Sequence, residues 1–230
     1  MPNIASLDLE SGSSQYASRA DTASLSITGD MSIECWVKRE STGAHCMVSK
    51  QGDGVNASYF FQFHSTDKYR FSVSATGGDF SVFPASTTSV VADGSWHHVA
   101  VTYNAAAGTC AFYLDGAADG TGASLPTSIH DNVSNFHVGR TGAAADFQYF
   151  DGLIDEVRIW NDIRTAQEIS DNYRTELVGN EAGLAAYYKF NNVYTDATAN
   201  ANDLTASGSP VFSTDIPFDV VQIGDFAYFL

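Results

Sequence analysis

FDGLIDEVRIW, residues Phe150–Trp160, alternates apolar and polar side chains in the way that predicts a β-strand buried on one face. Successive side chains of a strand point to opposite faces, so Asp155 is expected on the same face as Val157 and Ile159. A carboxylate buried among aliphatic side chains is costly unless its charge is compensated. We therefore expect a cation or backbone N–H donors beside Asp155, or a bend in the strand that exposes the carboxylate to solvent.

Other runs with the same alternation extend the prediction to a whole domain. They are SIECWVKR (Ser32–Arg39), GSWHHVAVTY (Gly94–Tyr103) and CAFYLDG (Cys110–Gly116), and the last pair is typical of a hairpin. Shorter strands are expected between turn-rich clusters, including Phe80–Phe83 and an opening hairpin over Ala5–Ala17. Strands spaced about ten residues apart predict an all-β protein, a two-sheet antiparallel jelly-roll sandwich.

Helical spacing replaces this alternation directly after Trp160. Thr165 and Glu168 stand three residues apart, as in a capping box, and Ile169 and Tyr173 follow on one helical face. One short capped helix is therefore predicted after the Phe150–Trp160 strand.

Composition excludes several functional classes. The 230 residues include 11 Lys and Arg against 27 Asp and Glu, giving a formal net charge of −16. This charge opposes nucleic-acid binding and suits divalent cations. No apolar run approaches the ~18 residues of a membrane span, so membrane insertion is not expected. The start at Met1–Asn3 has no apolar h-region, so no signal peptide is expected in this chain.

The cysteines are Cys35, Cys46 and Cys110, an odd set. Cys35 and Cys110 lie in predicted strands with apolar neighbours on their own face, which favours buried thiols. A hairpin disulfide between Cys35 and Cys46 stays open as the alternative.

The last sixteen residues, Asp215–Leu230, are too apolar for a free tail and too short for a domain. We therefore divide the chain into a jelly-roll domain, residues 1–212, and an apolar C-terminal arm, residues 213–230. The arm residues expected to bind a partner are Phe218, Ile223, Phe226, Tyr228, Phe229 and Leu230.

Four of these runs, in their order and spacing, resemble the laminin-G-like, concanavalin A-like lectin and glucanase jelly-roll superfamily. They are SIECWVK, GSWHHVAVTY, FYLDG, and FDGLIDEVRIW with its capped helix. The later run AYYKF, Ala186–Phe190, and the loop Asp196–Asp203 resemble the strand that often completes this fold. The resemblance covers Ala5 to about Phe212. It implies much less about function, because the fold hosts lectins, glycosidases, adhesion modules and structural proteins.

The same resemblance implies a role for Asp155. In relatives of the laminarinase and lichenase type, the aspartate that opens the corresponding strand holds a structural calcium ion beside backbone carbonyls from other strand ends. Here those carbonyls would come from near Ala5 and near Phe190, and water would complete the about 6 to 8 oxygen ligands of calcium. The alternative is that Asp155 accepts hydrogen bonds from a neighbouring loop and binds no ion.

No catalytic residue is predicted. Glycoside hydrolysis needs paired carboxylates about 5 to 9.5 Å apart, and no alternating Glu-x-Asp-x-Glu run supplies them. Asp155 and Glu156 are adjacent and are therefore expected on opposite faces of their strand. A glycoside hydrolase remains a remote alternative.

Two polar loops are candidates for contact with a glycan or a metal. In the later loop, Asp196, Asn200 and Asn202 alternate oxygen donors, but the glycine and glutamate of a calcium loop are missing, so a polar turn is favoured. The earlier loop offers Asp53 and Asn56.

These features favour a non-catalytic interaction or assembly module that binds a protein partner, or copies of itself, through the C-terminal arm. The first hypothesis is a virion decoration or attachment protein, which implies a virion or extracellular surface as its location. The alternative is a calcium-dependent, lectin-like glycan-binding adhesion module, for which the acidic surface and the two polar loops give support.

Overall fold

A computed structural model describes residues 3–52, 56–78, 80–142 and 148–218, and shows two antiparallel sheets packed as a sandwich. The strands are, in chain order, β1 (Ser6–Leu9), β2 (Tyr16–Arg19), β3 (Met31–Arg39), β4 (Cys46–Gln51), β5 (Ala57–Phe63), β6 (Lys68–Val73), β7 (Ala85–Ser89), β8 (His97–Asn104), β9 (Thr109–Leu114), β10 (Ala117–Gly122), β11 (Phe136–Val138), β12 (Gly152–Trp160), β13 (Leu184–Tyr188), β14 (Thr205–Ser207) and β15 (Val211–Ser213). A 3-10 helix spans Ser11–Ser13, and the helix α1 spans Ala166–Asn172. The predicted fold class is confirmed.

The back sheet has eight strands in the order β10-β9-β8-β3-β12-β1-β15, with β13 also paired to β12. The front sheet has seven strands in the order β14-β2-β11-β4-β5-β6-β7. The predicted hairpin is β8 and β9, which pair from Val99 with Leu114 to Asn104 with Thr109. The strand β12 lies inside the back sheet, where it pairs with β3 on one side and with β1 and then β13 on the other.

The core lies between the sheets and follows the alternation of the strands. In β3, for example, Ile33, Cys35 and Val37 are fully buried in the core, while the intervening side chains face outward. Cys35, Cys46 and Cys110 are buried free thiols, as the sequence favoured. Burial raises the pKa of the Cys110 thiol to about 12, so the thiol is inert.

A β-bulge in β12 changes the expected faces of that strand. Asp155 pairs with Trp36 and Arg158 pairs with Glu34, so β12 advances three residues while β3 advances two. Ile154 and Val157 therefore both reach the core. The expectation that Asp155 shares a face with Val157 is wrong, because the extra residue shifts the alternation.

Two local predictions also need correction. The expected hairpin over Ala5–Ala17 does not form, since β1 pairs with β12 and β15 whereas β2 pairs with β11 and β14 of the other sheet. The segment Phe80–Phe83 is not a strand. It lies on the outer face of the front sheet, where Phe80 packs on Phe60 and Phe83 packs on Arg70.

The predicted capping box is present at the start of α1. The Thr165 Oγ1 accepts from the Glu168 N–H at 3.2 Å, and the Glu168 carboxylate accepts from the Thr165 N–H at 2.8 Å. Each such cap stabilises a short helix by about 1 kcal/mol. Within the described residues, no helix has the length and apolar character needed to cross a membrane.

A buried ion network fastens the segment after α1 to the outer face of the back sheet. The Arg158 guanidinium lies 2.9 Å from the Glu156 carboxylate and donates to the backbone oxygens of Asn172 and Thr175 at 3.0 and 2.6 Å. Arg158 is 1% exposed. Removing one partner of such a pair costs about 3–5 kcal/mol, because the other charge stays buried.

The start of the C-terminal arm packs on the same sandwich. The Asp215 carboxylate accepts from Trp96 Nε1 at 2.7 Å and lies 2.5 Å from Lys38 Nζ. The Phe218 ring lies 5.7 Å from the Trp36 ring, measured between centroids. Residues 215–218 therefore cover part of the back sheet.

Gly152 provides a test of the way β12 enters the back sheet. Its φ is +124°, and a Cβ there would lie 2.2 Å from the Lys38 carbonyl oxygen. Gly152→Ala should lower the free energy of unfolding by about 2 to 4 kcal/mol, through backbone strain and steric overlap. Urea denaturation measures the change. Gly12→Ala is the matched control, since no heavy atom lies within 4 Å of its Cβ, and equal losses in the two variants would contradict the prediction.

Candidate functional site

A groove of about 180 Å³ lies on the outer face of the front sheet, and we call it the front groove. It combines aromatic rings with amide, hydroxyl and guanidinium groups. Its lining residues are Gln51, Phe60, Gln62, Arg70, Phe80, Phe83, Thr141 and Gln148.

The alternation of β5 and β6 produces the floor of the front groove. Phe61 and Phe71 are fully buried in the core, so the neighbouring side chains Phe60, Gln62 and Arg70 project to the outer face. Gln62 and Arg70 stand directly opposite each other on the two strands. The sheet register thus fixes an aromatic ring, an amide and a guanidinium side by side.

The polar groups of the floor form a connected row. In the amide orientation that satisfies both neighbours, Gln62 accepts from Arg70 Nε at 2.8 Å and donates to Gln148 Oε1 at 3.0 Å. The backbone N–H of Gln148 donates to Thr141 Oγ1 at 3.1 Å. These bonds hold the polar groups of the floor in a fixed geometry.

The aromatic side chains form one wall of the front groove. Phe60 and Phe80 meet edge to face with 4.5 Å between centroids. The Arg70 guanidinium carbon lies 4.9 Å from the Phe83 centroid, a cation–π geometry that orders this ring. Phe83 remains 43% exposed, so an apolar ligand face can stack on it.

A second aromatic cluster lies on the same outer face, and we call it the tyrosine cluster: Tyr16, His137, Arg140 and Tyr149. The Arg140 guanidinium carbon is 4.0 Å from the Tyr16 centroid, and the Tyr149 ring is 6.2 Å from it. Arg140 Nη2 lies 3.1 Å from His137 Nε2. Burial, together with the Arg140 cation, lowers the pKa of His137 to about 3, so at pH 7 the neutral ring accepts the hydrogen bond from Arg140.

Sequence reasoning missed the front groove. The run FQF, Phe61–Phe63, looks like any other strand, and only its alternation places Gln62 outward. The wall is built by Phe80 and Phe83, which the sequence assigned to a strand. The one signal that could have found the site is the set of aromatic and amide residues at outward positions of neighbouring strands.

A larger groove of about 420 Å³ lies at the β8–β10 side of the back sheet. Its lining residues are Thr102, Asn104, Thr109, Cys110, Ala111, Thr121, Gly122, Ala123 and Ile163. Among the described residues this lining has no aromatic ring and no charged group, so it offers little for specific recognition.

Asp155, the predicted metal ligand, lies fully buried on the outer side of the back sheet. Its carboxylate accepts from Asn3 Nδ2 at 2.7 Å and from the Glu156 N–H at 2.9 Å. Burial, together with the neighbouring Glu156 carboxylate, holds the pKa of Asp155 well above its ordinary value. The expectation that Asp155 and Glu156 face opposite ways is wrong, since the bulge brings both to this side, where Glu156 is bound to Arg158 and Tyr187.

The segments beside Ala5 and Phe190 contact each other. Asn191 Oδ1 accepts from the N–H groups of Ile4 and Ala5 at 2.7 and 3.3 Å, directly after Phe190, whose φ is +47°. Asn3 is 2% exposed, and its Oδ1 has no hydrogen-bond partner in the described part of the chain. A carboxylate beside an uncommitted amide oxygen fits the donor set of calcium, although no cluster of three acidic, histidine or cysteine side chains forms among the described residues.

The candidate ligand loops differ from one another in their placement. Asp53 lies outside the described residues. The Asn56 carbonyl accepts from the Gly52 N–H at 3.0 Å within its own loop. The Asp196 carboxylate accepts from the N–H groups of Tyr187, Thr198 and Asn202 at 2.9 to 3.0 Å.

Asn200 and Asn202 complete that later loop. Both donate from their side chains to the Ala185 carbonyl, at 2.9 and 3.1 Å, and Asn202 is fully buried. These bonds are those of a polar turn that anchors itself to β13.

Of the predicted arm residues, only Phe218 belongs to the described part of the chain. It packs on Trp36 of its own sandwich. The others, Ile223, Phe226, Tyr228, Phe229 and Leu230, lie outside the described residues.

Comparison with known proteins identifies the family. The family model described as the concanavalin A-like lectin/glucanases superfamily, of laminin G type, matches residues 11–170. A search of curated proteins finds no match.

Solved structures share the fold at low sequence identity. A candidate carbohydrate-binding protein from Bacteroides ovatus superposes with a TM-score of 0.74 at 16% identity, over 96% of this chain and 62% of that one. This chain thus spans less than two thirds of that protein. A heptameric SAP-like pentraxin from Limulus polyphemus gives 0.66 at 10% identity, over 91% of this chain and 94% of that one.

The carbohydrate-binding domain CBM40 of a Ruminococcus gnavus sialidase, solved with α2,3-sialyllactose, gives a TM-score of 0.58 at 12% identity, over 74% of this chain and 97% of that one. At these identities the structures show that the fold is shared.

The depressed pKa of His137 predicts a pH-dependent stability. Between its ordinary value of 6.5 and about 3, the unfolded chain binds a proton at this position and the folded chain does not. The free energy of unfolding should therefore fall as the pH is lowered from 7 to 5, and His137→Gln should lose less stability over this range. Thermal denaturation at both pH values tests this, with His64→Gln as control. Equal losses in the unmodified protein and His137→Gln would contradict it.

Proposed function

Because this chain belongs to the concanavalin A-like lectin/glucanase superfamily, we propose that it is a non-catalytic glycan-binding module whose ligand lies in the front groove. The observation that carries the proposal is the pairing of the exposed Phe83 ring with the hydrogen-bonded row of Gln62, Arg70 and Gln148. The apolar face of a sugar ring stacks on an aromatic side chain, while its hydroxyl groups need fixed donors and acceptors.

The lack of carboxylates in the described lining supports a binding role over a catalytic one. Glycosidases place paired carboxylates on either side of the scissile bond, about 5 to 9.5 Å apart. The described residues that line the front groove include neither Asp nor Glu. Glu156 and Asp155 are buried on the other sheet, where Glu156 is fixed by Arg158 and Tyr187.

The structures with the same fold add support at the level of the class. One is described as a candidate carbohydrate-binding protein, and another holds a sialyllactose. A glycan-binding role would place the module on an extracellular surface, where glycans are displayed. The virion assembly hypothesis has no comparable support among these proteins.

A glycan array tests the proposal. The unmodified protein should bind a defined group of glycans, and Phe83→Ala should weaken that binding about tenfold, which corresponds to the loss of one stacking contact. Val178→Ala is the matched control, because this side chain is 74% exposed and is absent from the front groove. Silence of the unmodified protein on every printed glycan would exclude the proposal, as would equal signals from the unmodified protein and Phe83→Ala.

We also propose that a calcium ion is bound structurally beside Asp155. The Asp155 carboxylate and Asn3 Oδ1 would hold it, with backbone oxygens near Ala5 and Phe190, and it would neutralise a carboxylate that is fully buried. The ion would supply cohesion between strand ends and would take no part in glycan binding.

Thermal denaturation with calcium and with a chelator tests this second proposal. Calcium should raise the midpoint of unfolding of the unmodified protein by several degrees, since a ligand of the folded state alone stabilises it. Asp155→Asn should abolish the difference, and Asp131→Asn, at an exposed loop position, should keep it. An identical midpoint of the unmodified protein in calcium and in chelator would refute the ion.

A further inference from the structure

We propose that the glycan site extends from the front groove across the front sheet to the tyrosine cluster, so that the ligand is a linear oligosaccharide segment and not a single sugar. This inference rests on the proposed function and names the class of its ligand. It follows from the placement of the two aromatic clusters on one face, from their contiguity and from the distance between them.

The register of the front sheet puts both clusters on one face. Ala17 of β2 is fully buried in the core, which turns Tyr16 outward. Phe136 and Val138 of β11 are likewise buried in the core, which turns His137 to the same outer face. The floor of the front groove projects from this face too.

The row of directly paired residues across the sheet shows this shared face. His137 pairs with Ser49 of β4, and Ser49 pairs with Phe60 of β5. Paired residues project to the same side of a sheet. The tyrosine cluster and the front groove therefore lie on the same side of the front sheet.

Two short chain segments connect the clusters. Thr141 lines the front groove, and the preceding residue, Arg140, covers the Tyr16 ring. Gln148 lines the front groove, and the following residue, Tyr149, contacts the Tyr16 ring. The front groove and the tyrosine cluster are thus adjacent along both segments.

The distance between the clusters sets the size of the ligand. Tyr16 lies on β2 and Phe60 on β5, with β11 and β4 between them. Neighbouring strands are about 4.8 Å apart, so the two positions are separated by about 14 Å across the sheet. One sugar ring is much narrower than this distance. Only a ligand of several sugars, lying across the strands, can contact both clusters.

The tyrosine cluster has the chemistry of a second sugar subsite. Its half-buried rings offer aromatic carbon, and the Arg140 guanidinium is held in place by the Tyr16 ring and by neutral His137. Ordered aromatic and guanidinium groups lose little conformational entropy when a ligand binds. This cluster therefore adds affinity to a chain that already occupies the front groove.

The test compares chain lengths. The protein is applied to an array printed with cello-, laminari-, xylo- and arabino-oligosaccharides and sialylated glycans of one to six sugars. Titration calorimetry follows on the series that binds. Affinity should rise with chain length until both clusters are filled. Tyr16→Ala should weaken the longest member about tenfold and leave the monosaccharide unchanged, whereas Phe83→Ala should weaken every length.

A second variant makes the test independent of the folding of Tyr16→Ala. Ser18 lies beside Tyr16 on β2 and pairs with His137. The indole ring of Ser18→Trp would therefore obstruct the oligosaccharide where it approaches the tyrosine cluster. It should weaken the long ligand and spare the monosaccharide. Val178→Ala should change neither.

The outcomes separate the two proposals. Equal affinity for one and six sugars, with dependence on Phe83 but on neither Tyr16 nor Ser18, would overturn the extended site and leave the proposed function intact. Loss of binding to long oligosaccharides in both Tyr16→Ala and Ser18→Trp would support the extended site. Silence of the unmodified protein on all printed glycans would overturn both proposals.

Discussion

The bulge at Glu156 and Val157 is the constraint on which the back sheet depends. It occurs in the strand that pairs with three neighbours and shifts the alternation by one residue, so that Ile154 and Val157 both enter the core. The carboxylates of Asp155 and Glu156 then lie on the same outer side. Buried charges must be compensated, and here Arg158 of the same strand pairs with Glu156 while Asn3 donates to Asp155. Through their bonds, the segment after α1 and the chain start are fixed to the sheet.

The fold was largely predictable because it follows from local periodicity. Strands such as β3, β8 and β9 alternate cleanly, and the capping box at Thr165 marks α1 without reference to tertiary structure. The bulge was not predicted, although the adjacent polar residues Asp155 and Glu156 interrupt the alternation of FDGLIDEVRIW at that point. The bulge depends on tertiary structure, because β12 pairs with β3 along one edge and with β1 and β13 along the other. The assignment of β1 and β2 to different sheets is likewise a long-range property.

The candidate site was harder to predict than the fold for the same reason. The front groove joins Phe60 and Arg70 on paired strands to Phe83 and Gln148, which are distant in sequence. Each residue alone has a commonplace explanation, such as a core aromatic or a solvated polar side chain. The family resemblance led us to expect segments near Ala5 and Phe190 beside Asp155; the structure shows Asn3 bound to the Asp155 carboxylate and Asn191 bound to Ala5. The sequence could not indicate a surface whose residues come from segments that are distant in sequence.

The two outer faces of the sandwich differ in what covers them, and this difference supports placing the proposed ligand on the front sheet. On the back sheet, Trp36 is covered by Tyr173 and Phe218, and Arg158 is enclosed by the segment after α1. Those contacts hold the domain together, so changes there cost stability. Arg158, Lys38 and Trp36, which contact α1 and residues 215–218, all belong to the back sheet. The glycan site that we propose therefore lies on the face opposite to these stabilising contacts.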